Sequence, residues 1–174
     1  MHYGLIMECD YRYGTSQEEA FDEAFAMSDT AEKGGLDGVW LAERHFAAPR
    51  SPLDGLGAGI PSVVSAPLII SAAIVARTER LRVGVAVNVL PLNHPVRMAE
   101  EIAMLDCYSG GRIISGFVRG SSIETLQAGI DPTENRARFE EAHDLIIKCW
   151  TEPGPFRYEG KYFHHRVVNP WVLP

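Results

Sequence analysis

The chain has 174 residues, 46% of them hydrophobic, and a formal net charge of -7. That apolar share suffices for one domain with a real core and argues against disorder, while the acidic balance leaves no basic stripe to neutralise nucleic-acid phosphates. Cys9, Cys107 and Cys149 are odd in number and form no CxxC pair, a usage that fits reduced thiols in a cytoplasmic protein rather than a disulfide framework.

Tyr3 to Glu8, apolar and then acidic, predicts a first buried strand, followed by a polar and aromatic loop from Cys9 to Gly14. Thr15-Ser16-Gln17-Glu18-Glu19 offers two overlapping capping boxes, so a helix is expected to start there. Its apolar face is Ala20, Phe21, Ala24, Phe25, Ser28 and Ala31, and Gly34-Gly35 end it. Gly38-Val39-Trp40-Leu41-Ala42-Glu43-Arg44-His45-Phe46 then reads as a buried strand whose last residues turn polar. A long loop rich in proline and glycine, Ala47 to Pro61, exceeds what a simple connector needs.

Ser65-Ala66-Pro67 begins a second helix, running to Arg77-Thr78, with proline in the first turn where a missing amide costs little. The apolar run around it is broken by Ser65, Pro67 and Ser71, and Met1-His2-Tyr3-Gly4 lacks a signal pattern, so neither a membrane span nor export is expected. Leu81 to Val89 is nearly continuous in valine and alanine, as in a strand covered on both faces, with Asn88 as its polar intruder. Pro95 starts a third helix that reaches Tyr108 before Gly110-Gly111, and Ile113 to Val118 is a fourth strand ending in Arg119-Gly120. Glu134 to Trp150 is the last main helix. Phe156 to Phe163 reads as a hairpin turning at Glu159-Gly160, within a terminal stretch of hairpin and tail over about 151-174.

Four strand-helix units with polar strand ends at Glu8, Glu43-Arg44-His45, Asn88 and Arg119 predict an α/β fold of the (β/α)8 TIM-barrel type, whose functional residues follow the strands. Only about the first four βα units are present. Residues 1-174 therefore read as the N-terminal half of a barrel domain, and the open strand edges call for a further half or another copy.

Trp40 to Phe46, Leu81 to Pro91, His94-Pro95-Val96-Arg97, Gly111-Arg112 and Arg119-Gly120, in this order, resemble the bacterial luciferase-like flavin monooxygenases over nearly the whole chain. The resemblance implies reduced FMN and dioxygen acting on a small organic substrate such as an aldehyde. It also implies a flavin reductase as supplier and a homodimer or a family-related heterodimer, paired through the helices after strands two and three. Deazaflavin-dependent relatives transfer hydride instead.

Carried onto this chain, the resemblance makes Glu43, Arg44 and His45 the catalytic candidates. Arg44 stands where the light-emitting enzymes have histidine, which sets luciferase chemistry itself apart from what is expected here. His45 suits proton donation, because imidazole titrates near neutral pH; its competing use is a structural bond to Glu43. Ala86-Val87 falls where the family has a non-prolyl cis peptide under the flavin, with Asn88 beside it. Arg119, Gly120 and Arg136 match the phosphate site, where a guanidinium forks onto phosphate oxygens. The competing use of Arg136 is an i,i+4 ion pair with Glu140. Val118 occupies the family's reactive-thiol position, so no thiol chemistry is expected.

His164-His165 point to opposite faces of a strand and predict no metal site. Neither GxGxxG nor GxxxxGK[ST] occurs, nor does GxSxG. A catalytically inert fragment or structural subunit is the alternative from another class.

Overall fold

A computed structural model describes residues 1-45 and 61-174. The loop expected over Ala47 to Pro61 lies outside the described residues except for Pro61, as does Phe46. The strands are β1 (Gly4–Met7), β2 (Gly38–Leu41), β3 (Arg82–Val89), β4 (Ile113–Val118), β5 (Phe156–Glu159) and β6 (His164–Val168). The helices are α1 (Gln17–Lys33), α2 (Pro67–Arg77), α3 (Pro95–Ser109), α4 (Ser122–Gln127) and α5 (Asn135–Thr151), with one 3-10 turn at Leu90–Leu92.

The first four strands form one sheet in the order β1-β2-β3-β4. Parallel register sets Gly4 opposite Gly38 and Gly38 opposite Arg82. Sequential parallel strands separated by helices are the first units of a (β/α)8 barrel, in agreement with the fold class expected.

The chain divides into two compact units, the first comprising Met1–Asn88 and Arg112–Gly116. In it, Ser16 caps α1: its hydroxyl accepts from the Glu19 amide at 3.1 Å, and the Glu19 carboxylate accepts from the Ser16 amide at 2.8 Å. Of the two overlapping boxes the later one is used. Ala20, Ala24, Ser28 and Ala31 bury the inner face of α1, and Ile70, Ser71, Ile74 and Val75 that of α2. Arg112 ties the start of β4 to the end of α2, donating to the Val75 carbonyl at 2.9 Å, Thr78 Oγ1 at 3.0 Å and the Leu81 carbonyl at 3.2 Å.

The two faces of this sheet differ. Met7, Val39, Leu41, Val83 and Val85 are buried, whereas Ile6 is 73% and Ile114 is 38% exposed, and Arg82 and Ala86 are exposed too. Among the described residues, β3 is therefore covered on one face and not on both. On the uncovered face the Trp40 indole lies against Gly84, where an added Cβ would overlap the ring. A recess of about 250 Å³ opens beside it, lined by Gly4, Gly38, Trp40, Arg82, Gly84 and Ile114. It sits at the N-terminal strand ends, away from the polar residues that follow β1 and β2.

The second unit comprises Val89–Gly111 and Phe117–Pro174. His94 and Pro95 start α3, and Gly110, at φ 71°, ends it in the left-handed region that favours glycine. Ala142, Leu145, Ile146 and Cys149 of α5 are buried, as are Met98, Ala99, Ile102 and Ala103 of α3. Trp150 Nε1 joins the two helices, donating to the Ala99 carbonyl at 3.0 Å.

Two sequence expectations change in this unit. The short helix α4, absent from the elements expected, carries a capping box between Ser121 and Glu124. The hairpin turns over residues 160-163 rather than at Glu159-Gly160: the Gly160 amide donates to the Phe163 carbonyl at 2.9 Å, so the second strand begins only at His164 and residues 161-163 lie in the turn. Their amides donate to the Glu141 carboxylate of α5 at 2.9-3.1 Å.

β6 also carries a pH dependence. Burial, then the neighbouring His94 and His164, hold the His165 pKa below its ordinary 6.5. Its Nε2 is buried with no hydrogen-bond partner among the described residues, and Tyr158 faces it across the hairpin. A base with a depressed folded pKa contributes stability that is complete above the unfolded value and lost as pH falls through the folded one. The urea midpoint should accordingly drop as pH falls below the ordinary 6.5, and His165→Gln should flatten that part of the profile.

Candidate active site

β2 ends at Leu41, earlier than the apolar run suggests, so Glu43, Arg44 and His45 follow the strand rather than belong to it. Glu43 and His45, two residues apart, share one side: His45 Nε2 lies 2.7 Å from Glu43 Oε1. Glu43 is only 6% exposed and the His45 side chain 18%. A buried carboxylate needs a charged or hydrogen-bonded partner. Because an ionised carboxylate only accepts, Nε2 carries the proton in this bond, and Nδ1 is the basic nitrogen of the neutral ring.

Arg44 is placed differently. Its Nε and Nη2 each donate to the Glu8 carboxylate at 3.0 Å, a fork that joins the residues following β1 and β2. Both side chains are part-exposed. The extended stretch 61-64 is stitched alongside: Val63 N donates to the Cys9 carbonyl at 3.2 Å, and Arg44 N to the Val64 carbonyl at 2.9 Å. Cys9 is buried here, and burial, then Glu8 and Asp10, push its thiol up to about 11, so it stays protonated at neutral pH.

Ala86-Val87 is a cis peptide bond, at the position the resemblance implies. Gly116 makes room next to it, since an added Cβ would stand 2.8 Å from the Val85 carbonyl oxygen and 3.1 Å from Val87 Cγ1. Asn88 is fully buried. Its Nδ2 donates to Ser115 Oγ at 3.0 Å and to the Gly116 carbonyl at 3.1 Å, so it ties β3 to β4.

In the second unit, Arg119 is exposed and its side chain makes no ion pair among the described residues. Its carbonyl accepts from Asn135 Nδ2 at 3.1 Å, and Gly120 follows with φ 76°. Arg136 is exposed and pairs with Glu140 at 2.8 Å. That i,i+4 pair is the competing use anticipated for it.

The profile of the luciferase-like monooxygenases matches residues 1-174. The chain belongs to that family. The alkanal monooxygenase alpha chain of Photorhabdus laumondii is 32% identical over 158 residues, which are 89% of this chain and 40% of that protein. Among solved structures, the monooxygenase RslO1 from Streptomyces bottropensis superposes with a TM-score of 0.86 at 25% identity, over 99% of this chain and 50% of that one. The oxygenating constituent of 3,6-diketocamphane monooxygenase from Pseudomonas putida, in complex with FMN, gives 0.79 at 23% identity, over 100% of this chain and 44% of that one. This luciferase-like chain thus spans about half the length of the proteins it matches, or less.

Some candidate residues of this family member escaped the sequence. Glu8 stood out only as a polar strand end, while Ser62, Ser115 and Gly116 drew no notice. Gly116 did carry a signal, since a glycine inside a strand often marks a close approach of backbone. Among the described residues, no group of three or more His, Cys, Asp or Glu could hold a metal ion, and no helix is long and apolar enough to cross a membrane.

Proposed function

We propose that this chain is part of a flavin-dependent monooxygenase that oxidises a small organic substrate, for example an aldehyde, with reduced FMN and dioxygen. The observation that carries the proposal is the Glu43–His45 pair, 2.7 Å apart just beyond β2, in a chain of this family. Bound reduced flavin supplies the electrons that activate dioxygen. Glu43 holds the His45 ring with the proton on Nε2, leaving Nδ1 to take up or, once protonated, to deliver a proton at an oxygen of the substrate.

Each unit, taken by itself, carries residues suited to part of an FMN group. Arg119 offers a guanidinium with no protein carboxylate on it among the described residues, beside a glycine that leaves the backbone approachable. Arg136 can exchange its exposed pair with Glu140, a bond of little worth, for a phosphate. Ala86, Val87 and Asn88, with Gly116 behind them, offer backbone and small side chains suited to a flat ring. The partner set is a flavin reductase and a second subunit of the same or a related chain, in the cytoplasm. Exposed Ile69 on α2, and Met104 and Tyr108 on α3, support the pairing. The uncovered apolar face with Ile6 and Ile114 supports further barrel strands as its cover.

Titration with FMN and riboflavin tests the phosphate assignment. Arg119→Ala should weaken FMN binding about 10- to 100-fold, since a charged hydrogen bond is worth roughly 1.5 to 3 kcal/mol. Arg136→Ala should weaken it less, and riboflavin affinity should barely move in either. Equal losses for both flavins would refute the assignment, and no FMN binding at micromolar concentration would make the chain an inert subunit. Turnover without dioxygen uptake would replace the oxygenase with deazaflavin hydride transfer.

A further inference from the structure

We infer that Glu8 is a positioning residue for the Glu43–His45 pair, acting through Arg44. The inference deepens the proposed function and rests on its assignment of proton handling to His45. Its basis is a closed ring of hydrogen bonds around residue 44. The Arg44 guanidinium donates twice to the Glu8 carboxylate, each time at 3.0 Å. The Arg44 amide donates to the Val64 carbonyl at 2.9 Å. The Val64 amide donates to Ser62 Oγ at 3.0 Å, and that hydroxyl donates to the Glu8 carbonyl at 2.7 Å. The ring returns to the residue where it began, so Arg44 is gripped at once by side chain and main chain.

What this grip does follows from geometry. Glu43 and His45 reach each other only while the residue between them keeps both on one side of the chain. They lie beyond β2, where the strand ladder no longer fixes the backbone. The Glu8 fork and the Val64 carbonyl replace it. A bidentate guanidinium-carboxylate bond is directional as well as strong, which suits it to setting an orientation.

The experiment is long-range proton-nitrogen correlation NMR of the histidine rings in the full chain, comparing wild type, Glu8→Gln and Glu8→Asp without any flavin. Wild type should show His45 with its proton on Nε2. Glu8→Gln should shift it toward a mixture, changing the tautomer ratio by about tenfold, the scale expected on loosening one charge-assisted bond. The other five histidines, of six in the chain, should be unchanged, and Glu8→Asp should restore part of the wild-type pattern. If Glu8→Gln does not fold, Arg44→Lys keeps the charge while breaking the fork and is read in the same way. An unchanged His45 signal alongside a lower urea midpoint would overturn the inference and reduce the fork to a strap between two loops. A wild-type His45 protonated on Nδ1 would overturn it as well. Since no flavin is present, failure here is separable from failure of the FMN titration.

Discussion

Glu141→Ala should lower the unfolding free energy by about 2 to 4 kcal/mol, a range set by the loss of several hydrogen bonds to one charged acceptor. The Glu141 carboxylate accepts from the amides of Lys161, Tyr162 and Phe163 at 2.9-3.1 Å. Three consecutive amides converging on one carboxylate are a built anion nest, and the side chain that fills it comes from α5 about twenty residues earlier in the chain. Without it, water can reach the exposed Lys161 amide but serves the half-buried ones less well. Glu141→Gln keeps one acceptor oxygen and should lose roughly half as much.

Gly160 offers an independent route to the same break, because a Cβ there would overlap the Glu141 carboxylate. A flexible carboxylate could ordinarily swing aside. Here, swinging aside breaks the same three bonds. Gly160→Ala and Glu141→Ala should therefore be strongly non-additive, the double variant costing little more than the worse single one. Urea unfolding gives the energies, and hydrogen exchange at 161-163 localises them. Unchanged exchange in Glu141→Ala would mean that the β5-β6 ladder alone holds the hairpin.

The same contact shows why the hairpin was misplaced in the sequence. Glu159-Gly160 is a good local turn signal, yet the turn spans residues 160-163 and is held by a carboxylate on a remote helix, which nothing near residue 160 announces. The α1 cap, by contrast, is a contact between residues three apart, and Ser16 and Glu19 declare it. The helix α4 was legible by the same rule, as Ser121-Ser122-Ile123-Glu124 repeats the spacing. The end of β2 was not, because Ala42 continues the apolar run past Leu41 although the pairing stops there. Residue types and chain order single out Glu43, His45 and Arg119 as candidates, while the pair of Arg136 with Glu140 can be read from helical spacing. The Glu8–Arg44 fork could not, since its partners are 36 residues apart. Nor could the uncovered sheet face: Val83, Val85 and Ala86 have the composition of a strand buried on both sides, and composition does not say which cover belongs to the described residues.

On the proposed function, Glu43→Gln should reduce dioxygen-dependent turnover by about 100- to 10,000-fold, the usual worth of a positioned acid-base group, while leaving FMN affinity within a few fold. The two effects separate because the substitution is nearly isosteric and lies in the first unit, away in sequence from Arg119 and Arg136. A carboxylate beside His45 Nε2 can only accept, so it selects a single tautomer. An amide can present either its oxygen or its NH2 group. When the NH2 group faces the ring, Nε2 must be the lone-pair nitrogen and the proton moves to Nδ1, which then cannot act as base. The imidazolium also loses the charge that offsets it in a site where Glu43 is almost fully buried. His45→Asn should match Glu43→Gln in the size of its loss, and the double variant should be no slower than either, as expected when two residues act as a unit. Turnover in Glu43→Gln within threefold of wild type would return His45 to a structural bond and take the proton-transfer role away from this pair.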